Sequence, residues 1–327
     1  MEKNKSKFLK SKSITSKKAA EMQETTPVKK RLSDAQYTMV MDKAGIEDAI
    51  FQHSIFCHTF FPYRNLKDVT SWKQEQGDIK LAVQSLETLN RETGKFENVG
   101  IPYGTKSRLI LMHLNTNAIQ TQNPVIDVGE TMSQYIKELG LSVQVNSIRE
   151  VKEQLKRIQA SNISLAYCDA DYSLEIRLQI IKKVENWLTK DDRQRVLWDS
   201  SIELSKDYFE SLMKHAIPLD KRAIGALSHN AMALDIYAWL AQRLHRINPA
   251  KPQFVSWKNL KDQFGQGYGR MDNFKQAFRQ SLLLAKVEYM AARFEEDKNK
   301  GFYLHNSPSP IPQKTFSINT TPSGLLF

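Results

Sequence analysis

Cysteine is nearly absent from this 327-residue chain. Cys57 and Cys168 are the only two, which removes a disulfide framework from consideration. Long apolar runs are missing as well: no stretch approaches the ~18 apolar residues of a membrane-crossing helix. The lysine-rich segment Met1–Lys30 has no apolar core of the kind a secretory signal carries. The cytoplasm is the expected location, with no membrane among the partners. The seven histidines include no pair separated by one residue, the metal-binding spacing of rolling-circle nicking enzymes. His53, Cys57 and His58 lie close together but lack a nearby fourth ligand, so they read as a buried cysteine with incidental histidines and not as zinc. Gly100 to Ser107 superficially matches a P-loop. It has three residues between its glycines where four are needed, and a threonine separates Gly104 from Lys106. No Ser/His/Asp order or paired-carboxylate motif stands out. The expectation is no catalytic residue, no metal and no cofactor, hence not an enzyme.

What is present points elsewhere. Hydrophobic residues at 41% and charged ones at 25% place the chain in the globular class, with length enough for two cores. The formal charge of +11 is uneven: residues 1–31 hold ten Lys or Arg against three acids and supply +7 of it. Such a tail suits a polyanion, nucleic acid being the commonest in the cytosol, although a solubilising leader has the same composition. Residues 1–36 read as a disordered basic tail, with Ser33 an N-cap for a helix carrying Met39, Ile46, Ile50 and Phe51.

Further on, the apolar run Ile55–Phe61 offers a surface for a homodimer or, more plainly, core packing. Ile79–Leu86 alternates as a half-buried strand. A helix is expected at about Thr105–Ile119, a strand at Val125–Val128, and a helix from Glu130 to Leu139 that stops at Gly140. A third helix starts at Ser147, with Ile148, Val151, Leu155 and Ile158 as its apolar stripe and Arg149, Lys152, Lys156 and Arg157 opposite. Ile163–Tyr167 follows as a strand, with strand-like runs at Leu174–Ile181 and Arg195–Leu204. The order then recurs. A long helix opens at Pro218/Asp220 and runs to about Arg246, followed by a strand at Phe254–Trp257 and a short helix at Lys258–Phe264. Asp272 caps a helix at about Asn273–Lys286. Ala292–Glu295 and Gly301–Leu304 form a hairpin with a charged tip, Glu296–Lys300. Helix, strand, helix, turn, helix, hairpin is the order of a winged helix-turn-helix, and it is met twice. The fold class expected is therefore α+β, mostly helical, with two tandem winged helix-turn-helix domains at 37–216 and 217–312. Residues 313–327 form a flexible C-terminal tail.

In such a unit the second helix of the pair enters the major groove. On Asn273–Lys286, Lys275 and Arg279 are one turn apart, as are Gln276 and Gln280, so the four share an outer surface. Arg can pair with guanine and Gln with adenine. The hairpin cations Lys298 and Lys300, with Arg293 at the base, are placed to touch phosphates. Arg149, Lys152 and Lys156 are the counterparts in the first unit, where Glu150 and Glu153 make the face mixed. An amphipathic surface helix and a solvated hairpin tip are the plain alternatives.

Five segments carry a family resemblance. Ile101-Pro102-Tyr103-Gly104-Thr105-Lys106-Ser107-Arg108-Leu109-Ile110 is one. Leu197-Trp198-Asp199 with Glu203-Leu204-Ser205 is the second, and Ile217-Pro218-Leu219-Asp220-Lys221-Arg222-Ala223 the third. Leu234 to Leu244, with Tyr237, Trp239 and Arg243, is the fourth. Trp257-Lys258-Asn259-Leu260 with Gln263-Phe264-Gly265 is the fifth. The chain resembles, over about residues 45–312, the plasmid-encoded RepA replication initiators with paired winged-helix domains. The resemblance implies binding to repeated sites in double-stranded plasmid origin DNA, origin melting, and recruitment of host replication proteins, a helicase or an origin-binding initiator. It implies no catalysis. Tyr103, Arg108, Trp239 and Arg243 read as scaffold. A transcriptional repressor would share every DNA-reading feature, and an origin-nicking replicase is the third class.

Overall fold

The computed structural model describes residues 30, 32–35, 37–38, 44–45, 47–76, 79–90, 93–129, 131–168, 173–184 and 201–311. The expectations for residues 1–29, for the start of the strand-like run at 195–200 and for the C-terminal tail lie outside the described residues. The chain divides into an N-terminal unit, Met1–Lys43, and a compact unit, Ala44–Phe327. In the first, Lys30 and residues 32–35 and 37–38 are helical, so Ser33 sits within a helix and does not cap one.

The compact unit opens with β1 (Ala49–His53), where helical spacing had pointed to a helix. Its antiparallel partner is Ala216–Asp220, far along the chain, and Phe51 faces Pro218. With only two strands in this sheet, both are edges, where a proline without an N–H is tolerated. A short 3-10 turn, Ser54–Cys57, follows, and Phe56, Cys57, Phe60 and Phe61 are all buried. The apolar run thus packs inside this chain. β2 (Ser71–Gln76) and β3 (Ile79–Ser85) pair as a hairpin, and β4 (Glu87–Leu89) pairs with β5 (Phe96–Asn98).

Next come α1 (Gly104–Thr121), β6 (Val125–Asp127), α2 (Met132–Glu138) and α3 (Val145–Gln159). The Thr131 side chain accepts from the Gln134 N–H and starts α2. Val151, Leu155 and Ile158 are buried on α3, as their spacing requires. β7 (Ser161–Cys168) and β8 (Ser173–Gln179) form a hairpin that extends β2 and β3 into a four-stranded sheet. The strands that return to β6 are instead β9 (Ile181–Val184) and β10 (Ser201–Leu204), in the order β6-β10-β9.

After α4 (Lys206–His215) and β11 (Ala216–Asp220), the expected long helix is two: α5 (Lys221–Leu227) and α6 (Ala231–Arg243), with a 3-10 turn at Leu244–Arg246. The break has a local cause. The Asn230 side chain accepts from the Ala233 N–H and caps a new helix, while Pro218 lies in a strand. β12 (Gln253–Ser256), α7 (Trp257–Phe264), α8 (Met271–Glu288), β13 (Arg293–Asp297) and β14 (Gly301–His305) complete the unit. Asp272 does not cap α8. It lies in the first turn and pairs with Arg270 at 2.5 Å.

The sheet β12-β14-β13 repeats the order of β6-β10-β9. In each, a helix leads to a strand, a helix pair follows, and the last strand of a returning pair lies between the other two. The molecule is mixed α/β, with five sheets among the described residues, and less dominated by helix than expected. Strands of three to five residues that pair at long range leave little periodicity to read. Elements on either side of residue 216 interlock. Phe60 stacks on Phe264 at 5.0 Å, and Gln263 Nε2 donates to the His58 carbonyl at 2.9 Å. Arg108 on α1 reaches Asp235 on α6 through two hydrogen bonds of 2.7 Å each.

Candidate nucleic-acid interface

α8 buries Phe274, Phe278, Leu282 and Ala285, so the opposite side of the helix is turned to solvent. Gln276, Arg279 and Gln280 are exposed there and Lys275 is half-buried. The structure ties two of these four, Lys275 and Arg279, to the hairpin through Trp257, the first residue of α7. Its indole is 3% exposed and packs against Phe278 and Phe302 at 5.9 and 5.1 Å. Lys275 Nζ and the Arg279 guanidinium each lie 4.9 Å from the ring centroid, two cation–π contacts on one indole. The Trp257 Nε1–H donates to the Lys298 carbonyl and its backbone N–H to that of Lys300. One buried tryptophan thus joins α8 to the hairpin tip.

The tip is a tight turn in which Asp297 Oδ1 accepts from the N–H groups of Asn299 and Lys300 at 3.0 and 3.1 Å. Lys298 and Lys300 are exposed, and Lys300 Nζ is 3.9 Å from Asp297. Arg293 is exposed at the base of the hairpin. Arg279 is not at liberty: its Nε and Nη2 donate to Glu296 Oε1 on β13 at 2.8 and 2.6 Å. Neither Trp257 nor Glu296 was singled out from sequence as part of the site. They are 22 and 17 residues from Arg279, beyond any helical or strand period.

On α3, Arg149 is exposed, and Lys152 and Lys156 are half-buried. Partial burial pulls the Lys152 ammonium below its ordinary pKa. The acids of this helix are engaged: Glu150 with Lys106 at 2.9 Å and Glu153 with Arg157 at 2.7 Å. Arg157 does not join the outer face. It stacks on Tyr103 at 5.0 Å and donates to the Ile101 carbonyl at 3.0 Å.

The scaffold residues show why they are needed. Arg108 is buried, and besides its bidentate bond to Asp235 it donates to the carbonyls of Gly104 and Phe61, each at 2.7 Å. Trp239 is buried edge-on to Phe264 at 5.4 Å, and the Arg243 guanidinium covers its ring at 5.6 Å.

A buried Ser–His contact invites a catalytic reading that its hydrogen bonds oppose. His53 Nε2 lies 3.0 Å from Ser211 Oγ, while the Ile55 N–H donates to His53 Nδ1. Nδ1 is therefore the acceptor, so Nε2 bears the proton and donates to Ser211. Burial pulls this imidazole down to about 3. Cys57 and His58 are placed separately: Cys57 Sγ faces the His53 carbonyl at 3.9 Å, with burial raising the thiol far above its usual range. Among the described residues no cluster of three or more His, Cys, Asp or Glu could hold a metal ion, and no helix is long and apolar enough to cross a membrane.

Residues 101–259 match the family model of the plasmid-encoded RepA protein. Over that region the chain is similar to the RepA family, in keeping with the motif resemblance. The match is narrower than the 45–312 expected, and α8 lies beyond it. No curated protein matches the chain. Two crystal structures of domains 2 and 3 of RctB are similar to it. One, of selenomethionine derivatives, has 10% identity and a TM-score of 0.47, covering 74% of this chain and 92% of that one. The other has 9% identity and a TM-score of 0.41, covering 81% and 94%. Likeness at this level is too loose to fix a fold or a function.

Proposed function

We propose that each repeat is a winged-helix unit and that the protein is a non-catalytic plasmid replication initiator. It binds repeated sequences in double-stranded origin DNA, helps to melt the origin, and recruits a host helicase or origin-binding initiator in the cytoplasm. The observation that carries this reading is the exposed outer side of α8, held against the hairpin tip by Trp257, in a chain whose centre is RepA-like. Gln276, Arg279 and Gln280 read base edges, while Arg293, Lys298 and Lys300 hold phosphates. Arg149, Lys152 and Lys156 serve the same purpose on α3.

Footprinting on the source plasmid tests it. Protection of repeats within an AT-rich origin is expected, with strand opening there. Protection confined to a promoter would make the protein a repressor, and magnesium-dependent nicking of supercoiled origin DNA would make it a replicase.

A further inference from the structure

A second cationic surface lies away from the outer side of α8. The end of α6, its 3-10 extension and the loop to β12 line an open cavity of about 520 Å³ together with His58 and Ile79. Arg243, Arg246 and Lys251 line it, and no carboxylate does so among the described residues. Arg243 Nε donates to Gln253 Oε1 at 2.8 Å and Arg246 Nε to His245 Nε2 at 3.3 Å, both neutral partners. His58, which also lines the cavity, has an Nε2 atom that is buried and has no hydrogen-bond partner. Ile79, Ile247 and Pro252 supply apolar wall.

Three cations that line one cavity without a counter-charge repel one another. The helix C-terminus offsets some of this cost, because its carbonyl end favours positive charge. It provides no partner for Arg246 or Lys251 and none for the His58 nitrogen. Buried polar nitrogens of this kind are normally satisfied, so the orphan marks a place for an acceptor. Burial also lowers the basicity of Arg243 and Arg246, a cost that an anion in the cavity would reverse.

We propose that this cavity is a phosphate-binding site, in which Arg246 and Lys251 hold a phosphate group and the His58 imidazole donates to one of its oxygens. The phosphate comes from a DNA strand or from a free nucleotide, whose size the cavity also admits. The site uses residues separate from the base-reading set, and it can exist whether or not α8 reads bases.

His58 reports on occupancy. Burial and the neighbouring guanidiniums of Arg243 and Arg246 pull its imidazole down to about 4, and an anion within hydrogen-bonding distance raises it. Follow the histidine C–H resonances of the full-length protein by NMR as a function of pH, with inorganic phosphate, with a mononucleotide, and with a scrambled duplex. Match ionic strength with chloride throughout. The expected result is a saturable rise of about one pH unit or more in the His58 midpoint with at least one probe, absent with chloride. The rise is lost in Arg246→Gln/Lys251→Gln, whose melting temperature and circular dichroism match the parent. A response to mononucleotide with unchanged DNA affinity in the double variant assigns a free nucleotide. A loss of up to about two units in the salt slope of duplex binding assigns backbone phosphates. No movement of His58 with any of the three probes overturns the site, as does a rise that persists in the double variant. Neither outcome touches the ratio of origin to scrambled binding, on which the α8 reading stands.

Discussion

Arg279 can read a base only by leaving Glu296, so Glu296→Gln should improve recognition. The tie consists of two hydrogen bonds to one carboxylate oxygen, between side chains 41% and 28% exposed. Exposed ion pairs of this kind contribute ~0.2–1 kcal/mol, so releasing Arg279 should tighten origin binding by about 1.4- to 5-fold. Loss of an acid near DNA also tightens binding generally, and the two effects must be separated. In the Arg279→Ala background, Glu296→Gln should retain the general gain and lose the specific one. Arg279→Ala alone should lower specific binding by roughly 5- to 150-fold, the ~1–3 kcal/mol of one bidentate base contact. Fluorescence anisotropy on origin and scrambled duplexes at several salt concentrations gives all four affinities of the cycle. If Glu296→Gln raises the origin-to-scrambled ratio equally with and without Arg279, the release argument is wrong.

Three other changes probe the frame. Arg108→Met leaves Asp235 buried without its partner and should cost about 3–5 kcal/mol in urea unfolding; a loss under 1 kcal/mol would show that the pair is dispensable. Glu288 is buried with both carboxylate oxygens unpartnered, and desolvation, helped by Asp220, raises it to about 8. The folded state thus holds a proton that the unfolded state releases near 4.5, so stability should fall as pH rises from about 4.5 to about 8. Glu288→Gln should flatten that slope and raise the melting temperature at pH 8–9, and an unchanged pH profile would contradict this. At Gly301, φ is +153° and an added Cβ would lie 2.0 Å from the Val255 carbonyl oxygen. Gly301→Ala should therefore open the β12–β14 pairing at a cost of ~1–3 kcal/mol, read by urea unfolding, and a neutral result would mean that the strands have slack.

The parts of this molecule legible in sequence are those fixed by local period. The apolar rows of α3 and α8 repeat every three or four residues, and the pairing of β13 with β14 is set by a short turn. The outer residues of α8 follow from the same arithmetic. Long-range chemistry left no such trace: Arg108 and Asp235 are 127 positions apart, and β6 finds β10 only after an intervening hairpin that belongs to another sheet. The helix drawn from Pro218 to Arg246 failed for a different reason. Ser228-His229-Asn230 carried a stop-and-cap signal, but the apolar spacing on either side continued through it. The ties that restrain Arg279 were invisible because a side chain's partner across a sheet depends on tertiary placement.

The buried Arg108–Asp235 pair fastens α1 to α6, and α3 packs on the first while α8 packs on the second. The two candidate reading helices therefore ride on one body and are not beads on a string. For DNA this makes distance part of the message. Each inserted base pair shifts one contact segment by about 3.4 Å along the duplex and about 34° around it. Five extra pairs would turn the second segment to the far side, which a loose tether would accommodate and a single body would not. The protein would then act as a caliper, recognising the phase between two short words as strictly as their spelling.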